Sequence, residues 1–143
     1  MKLKTIVGND HDEEVIIYCK EISELVEKIE NLIKNDAIQY IGYKDNKSVI
    51  LDLNQVFGFT IESNKIYAIT ENDKLQLKSR LYQLENDLPQ NFIKINQSTI
   101  VNSEKISHFD ATFSGTLTVV LKNGFCDYVS RRNIKKVKER LGI

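Results

Sequence analysis

The sequence predicts a mainly β domain with short helices, of the α+β class, whose strands pair antiparallel. Three observations predict it. Short runs of β-branched and aromatic residues follow one another with only turn residues between them, so most strands lack the helical crossover that parallel neighbours need. Helical periodicity is confined to three stretches. A single proline and 41% hydrophobic content among 143 residues indicate a chain folded throughout, long enough for one core-bearing domain with a small appendage.

The first element is expected at residues 14–20 (EVIIYCK), whose β-branched and aromatic density suits a strand. ISELVEKIENLIKND follows, with Ile22, Leu25, Val26, Ile29, Leu32 and Ile33 at i, i+3, i+4, i+7 spacing. That pattern predicts a helix with one buried stripe, whose partner surface is its own domain in the preferred reading and a second copy of the chain in the other, and Ser23 suits its cap. These two elements form a βα extension over residues 1–40, ahead of the main domain at 41–143.

From Ala37 the apolar period shortens. IQYIGYK, SVILDL, QVFGFTIES, KIYAIT and KLQLKS read as strands, separated by Lys44-Asp45-Asn46-Lys47, Ser63-Asn64 and Glu71-Asn72-Asp73. Leu77, Leu81, Leu84 and Leu88 share a helical face, and Pro89 closes that short helix. FIKI, STIVN, ISHF, LTVVL and FCDYVS are again strands, with Asn123-Gly124 as a hairpin signal between the last two. Ile93, Ile95, Ile100, Val101, Leu117, Val119 and Leu121 are the expected core. Ser130 suits the cap of a last helix that carries Ile134, Val137 and Leu141 on its inner face and ends at Gly142.

Formal net charge is zero, but its distribution is lopsided. Residues 1–93 carry 11 Lys and Arg against 16 Asp and Glu, while residues 94–143 carry 9 against 4. Six of those nine positives fall within residues 131–140, the basic stripe expected of a protein that meets a polyanion.

Catalytic and metal chemistry find little support. His11 sits in Asp10-His11-Asp12-Glu13-Glu14, read as a solvated acidic turn, and His108 has no carboxylate pair or cysteine at ligand spacing. There is no glycine-rich phosphate loop and no nucleophile beside a base, so no enzyme activity and no cofactor are expected. Cys19 and Cys126 form no CxxC pair and are read as reduced, structural thiols. The N-terminus turns acidic before any signal-peptide core could form, which predicts a cytoplasmic protein.

Three pieces of the chain resemble the LytTR DNA-binding domain family of bacterial transcription regulators. They are LYQLENDLPQNFIKINQSTIVNSEKISHF, the hairpin TLTVVLKNGF, and YVSRRNIKKVKERLG, in the family's order and spacing. Phe92, Ser98 and Ile100-Val101-Asn102, with Val129-Ser130-Arg131-Arg132, carry most of the likeness. The resemblance implies an elongated antiparallel β-sandwich that meets double-stranded DNA through loops and strand ends, in successive major grooves and without a recognition helix. Family members commonly bind direct repeats as pairs of molecules, so a homodimer on DNA is implied. The roughly 40 upstream residues lack a phospho-receiver pattern, which likens the chain to receiver-less members often restrained by a membrane-protein regulator.

Carried over by position, the DNA-contacting residues are Ser63, Asn64 and Lys65 in one loop, Asn96 and Gln97 after FIKI, and Arg131 and Arg132 at the head of the last helix. Asn64, Gln97 and Arg132 are the expected readers, with Lys65, Lys94, Asn96 and Arg131 in support. Where the family usually has His or a basic residue, this chain has Asn96. Asn and Gln bond bidentately to adenine, so an A-containing site is expected. Lys105, Lys135, Lys136 and Lys138 are phosphate-neutralising candidates. The competing reading is a protein interaction module, for instance with a membrane-bound inhibitor, that has lost DNA binding.

Overall fold

The computed structural model describes residues 2–10, 14–37, 39–111 and 115–143. The acidic turn around His11 lies largely outside the described residues. Among the described residues three α-helices and ten strands run in the order α1 (Glu24–Ala37), β1 (Ile41–Lys44), β2 (Lys47–Ile50), β3 (Gly58–Glu62), β4 (Lys65–Ile69), β5 (Lys74–Leu77), α2 (Leu81–Asp87), β6 (Phe92–Asn96), β7 (Thr99–Asn102), β8 (Ile106–Ala111), β9 (Leu117–Leu121), β10 (Cys126–Val129) and α3 (Arg131–Leu141).

Every described pairing is antiparallel. A seven-stranded sheet has the order β2-β1-β5-β4-β3-β7-β6, and a three-stranded sheet the order β10-β9-β8. Side-chain alternation gives the larger sheet two apolar faces. Phe92, Ala68 and Ile100 point into a core closed by Leu81, Leu84 and Leu88 of α2 and its C-terminal end. Their chain neighbours Ile93, Ile69 and Val101 point the other way, toward Val119 and Leu121 of the small sheet and Val137 of α3. The domain is thus a mostly antiparallel β fold with two cores and a helix closing each.

Turn chemistry sets the hairpins. Asp45 and Asn46, and again Ser63 and Asn64, all have positive φ, the primed geometry that matches the twist of flanking strands. The Asn-Gly signal is realised differently. Only Gly124 has positive φ (91°), its amide donates to Leu121 O at 2.9 Å, and Asn123 Nδ2 donates across to Thr70 O at 2.9 Å.

The predicted core is buried except Leu117, which is half-buried. Four expectations need correction. Residues 14–20 form no strand, and no described pairing reaches them, so β-propensity there meets no sheet edge of this chain. Leu77 belongs to β5, and α2 begins four residues later. Cys19 and Cys126 are exposed, so packing does not explain them. Finally, Ser23 does cap α1, accepting from Val26 N at 3.3 Å, but the apolar stripe is not buried. Only Val26 is (2% exposed); Ile29 is half-buried, and Ile22, Leu25, Leu32 and Ile33 face outward.

Candidate nucleic-acid interface

Ser63 and Asn64 form the two-residue turn between β3 and β4, with Glu62 opposite Lys65. Their φ angles of 50° and 62° hold them in the left-handed region, where asparagine is tolerated better than most residues. Ser63, Asn64 and Lys65 all project into solvent.

The β6–β7 turn is built by Asn96. Its Oδ1 accepts from Ser98 N at 2.8 Å, and its Nδ2 donates to Tyr128 O at 2.8 Å. The side chain is 1% exposed. This corrects the expectation that Asn96 meets a base: both ends of the amide are occupied inside the fold, and turning it outward would break both bonds. Gln97, one residue on, stands exposed at the tip.

Arg131 and Arg132 open α3, and both are exposed. Ser130 N donates to Ile95 O at 2.8 Å, which docks the helix head on β6. The capping expected of Ser130 is not realised: its hydroxyl accepts from Asn133 Nδ2 at 2.8 Å and makes no cap bond to a helix amide. The helix's first amides are therefore left facing outward with the positive end of the helix dipole.

Register places these segments at one end of the large sheet. Thr60 pairs with Thr99, and Ile61 N donates to Ser98 O at 2.9 Å, so the β3–β4 and β6–β7 turns project from the same edge. Beneath them, Thr99 Oγ1 donates to Asp127 Oδ2 at 2.6 Å and accepts from Thr60 Oγ1 at 3.0 Å, while Tyr128 N donates to Asp127 Oδ1 at 2.8 Å. This chain joins β3, β7 and β10 just below the turns. Buried polar groups satisfied in this way fix geometry.

Gln97, Arg132 and Lys94 line one open groove of about 470 Å³ with Glu85, Tyr128 and Asn133. Lys94 is not free there; its Nζ lies 3.2 Å from Glu85 Oε2. Arg131 faces a second depression beside Gly115 and Thr116. Ser63, Asn64 and Lys65 share the end of the sheet but not the groove. Lys105 lies beyond the far end of β7, over the Phe57 ring at 5.3 Å, and so stands apart from this surface. Lys135, Lys136 and Lys138 remain exposed along α3.

Sequence reasoning passed over Tyr128 and Asn133. Val129 is buried, so alternation turns Tyr128 outward (51% exposed), immediately before the basic helix. That alternation was the available signal. Asn133 lies one turn from Ser130 on a helix whose inner face was already assigned, and its place in the groove follows from docking on β6.

The family model of the LytTr DNA-binding domain matches residues 46–142. HTH-type transcriptional regulators of Staphylococcus aureus strains NCTC 8325 and COL are each 35% identical over 146 residues, spanning 100% of this chain and 99% of theirs. A solved LytTr DNA-binding domain from Bacillus cereus superposes with a TM-score of 0.68 at 22% identity, covering 73% of this chain and 97% of that one. With that much of the sequence matched, and with the same β-rich fold, the chain belongs to the LytTr DNA-binding domain family.

Proposed function

We propose that this protein is a cytoplasmic, sequence-specific transcription regulator that reads direct repeats of double-stranded DNA through the loops at one end of its large sheet. The supporting observation is convergence. Residues 63–65, residue 97 and residues 131–132 are far apart in the chain, yet they meet at one end, held by the buried bonds of Asn96, Thr60, Thr99 and Asp127. In this reading Asn64 and Gln97 meet base edges in the major groove, with a preference for adenine. Arg132 reads or clamps beside Gln97, and Arg131, Lys65 and the α3 lysines neutralise phosphates.

No helix enters the groove as a reader. The name of the staphylococcal relatives includes "HTH-type", but here five strands separate α1 from α2 and five more separate α2 from α3. A helix pair joined by a short turn is not among the described elements. A pair of molecules occupies the repeats, and a membrane-protein regulator is the class of partner that would restrain the free form.

Selection of preferred sites from random duplex DNA tests the reading, with Arg132→Ala run in parallel. A spaced direct repeat that depends on Arg132 is expected. No enrichment by folded protein at low salt would overturn it and favour the protein-module reading.

A further inference from the structure

We propose that Lys78 and Arg80, on the loop joining β5 to α2, form a second phosphate clamp, which holds the DNA backbone on the flank of the Asn64 and Gln97 turns opposite to α3. The inference rests on the DNA reading above and adds a backbone-binding site to it.

Antiparallel register brings this loop to the DNA-facing end. Ile66 pairs with Leu77, so Lys78 leaves β5 beside Lys65, one strand outward from the Ser63-Asn64 turn. Sheet order then fixes the succession of groups along that end: the 78–80 loop on β5, the turn joining β4 and β3, the Gln97 turn joining β7 and β6, and the head of α3 docked on β6. At about 4.8 Å per strand, β5 and β6 lie roughly 19 Å apart. Asn64 and Gln97 thus stand between two cationic flanks, with Arg131 and Arg132 on one side and Lys78 and Arg80 on the other. A side chain that reads base edges enters a groove walled by two phosphate strands, so cations on both sides of it meet phosphate.

The loop is short and pinned at both ends. Leu77 and Leu81, which bound it, are 4% and 7% exposed. The backbone of Arg80 is committed to the start of α2, where its N donates to Gln83 Oε1 at 3.0 Å and its carbonyl accepts from Leu84 N at 3.2 Å. Both cationic side chains are nevertheless exposed, and neither has an ion-pair partner among the described residues. Lys78 Nζ lies over the Tyr43 ring at 4.7 Å, a contact that places the ammonium without neutralising it. Carboxylates on the neighbouring segments are engaged elsewhere, Glu62 with Lys74 and Glu85 with Lys94. At the opposite end of β1, by contrast, Lys44 is neutralised by Asp73. Binding a phosphate at Lys78 and Arg80 therefore breaks no ion pair and orders no backbone.

Fluorescence anisotropy of the full chain on its selected duplex, titrated with salt, tests the clamp. Lys78→Gln/Arg80→Gln removes both charges and keeps much of the side-chain stems. Lys47→Gln/Lys122→Gln removes two exposed charges from the opposite end as a control. The first variant is expected to lower the slope of log affinity against log salt by about two, and each of its single substitutions by about one. Its affinity near physiological salt should fall at least tenfold on specific and unrelated duplexes alike, with the selected sequence unchanged. The control should keep the wild-type slope. Methylphosphonate groups, each removing one phosphate charge just outside the bases that Asn64 reads, should weaken wild type but not the Lys78→Gln/Arg80→Gln variant. A wild-type slope in that variant, folded by circular dichroism, would overturn the clamp and leave the DNA reading standing. So would methylphosphonate losses that persist in it undiminished. An equal loss of slope in the control would overturn the clamp by assigning the effect to net charge. Wild type that binds no duplex at low salt would overturn the DNA reading, and the clamp with it.

Discussion

Asn96 and Gln97 are consecutive amides with opposite circumstances, and their substitutions should separate cleanly. Asn96→Ala removes the partners of Ser98 N and Tyr128 O and is expected to cost about 1–3 kcal/mol of stability. Gln97→Ala should leave stability within about 0.5 kcal/mol and, on the proposed reading, weaken binding to an adenine-containing site by about 1–3 kcal/mol. Denaturant unfolding and fluorescence anisotropy measure the two. Nothing in the sequence distinguishes these neighbours, because the burial of Asn96 depends on a carbonyl 32 residues away. Tyr40 offers a second test at this scale. Its hydroxyl is buried with no hydrogen-bond partner among the described residues, and burial, with Asp87 adding to it, pushes its pKa up to about 12. Tyr40→Phe should therefore stabilise the fold by about 1 kcal/mol. The folded state holds the phenol protonated more tightly than the unfolded chain, whose value is 10.0. Stability tied to this group is thus intact below pH 10 and lost as pH climbs toward 12, and phenylalanine should remove that alkaline component.

The strands were legible because each carries its own signal: alternation of apolar residues, bounded by turns rich in Asn, Asp and Ser. Ser63-Asn64 is a good instance, since the sequence marks the turn and the positive φ angles realise it. Helix limits were less legible. The spacing of Leu77, Leu81, Leu84 and Leu88 continues through a strand end, and periodicity does not register that Arg80 is extended, with φ −97° and ψ 154°. The exposed seam of α1 shows the deeper limit, because a pattern identifies which face is apolar but not what covers it. Sheet order was not legible either. That β3 lies between β4 and β7 depends on Gly58, where an added Cβ would sit 2.6 Å from Ile100 O. Gly58→Ala is expected to cost about 1–3 kcal/mol by forcing those strands apart, measured as a shift in the denaturation midpoint.

For the whole molecule, the charge asymmetry along the chain becomes an asymmetry in space. The head of the basic helix, with Arg131 and Arg132, stands at the end of the sheet that carries the exposed turns, while its tail runs back along β6 to Gln90, and the acidic half supplies the extension and the first strands. Net charge therefore says little about binding here. Affinity for DNA should fall linearly with salt on logarithmic axes, and Lys136→Ala should reduce the slope by about one while weakening all sequences alike. An interface with an apolar protein would show almost no such slope. The composite site was legible in part: the resemblance located its segments, but their convergence required the antiparallel register of β3 with β7 and the docking of Ser130 on Ile95.

The central claim is that this one end of the sheet faces DNA. A photo-crosslinking side chain introduced at Asn64 or Gln97, compared with one at Asn46 or Asn72 in turns at the opposite end, tests it directly on a duplex carrying the selected site. Crosslinks from positions 64 and 97, with none from 46 and 72, are predicted. Crosslinks from 46 or 72 with none from 97 would contradict the account.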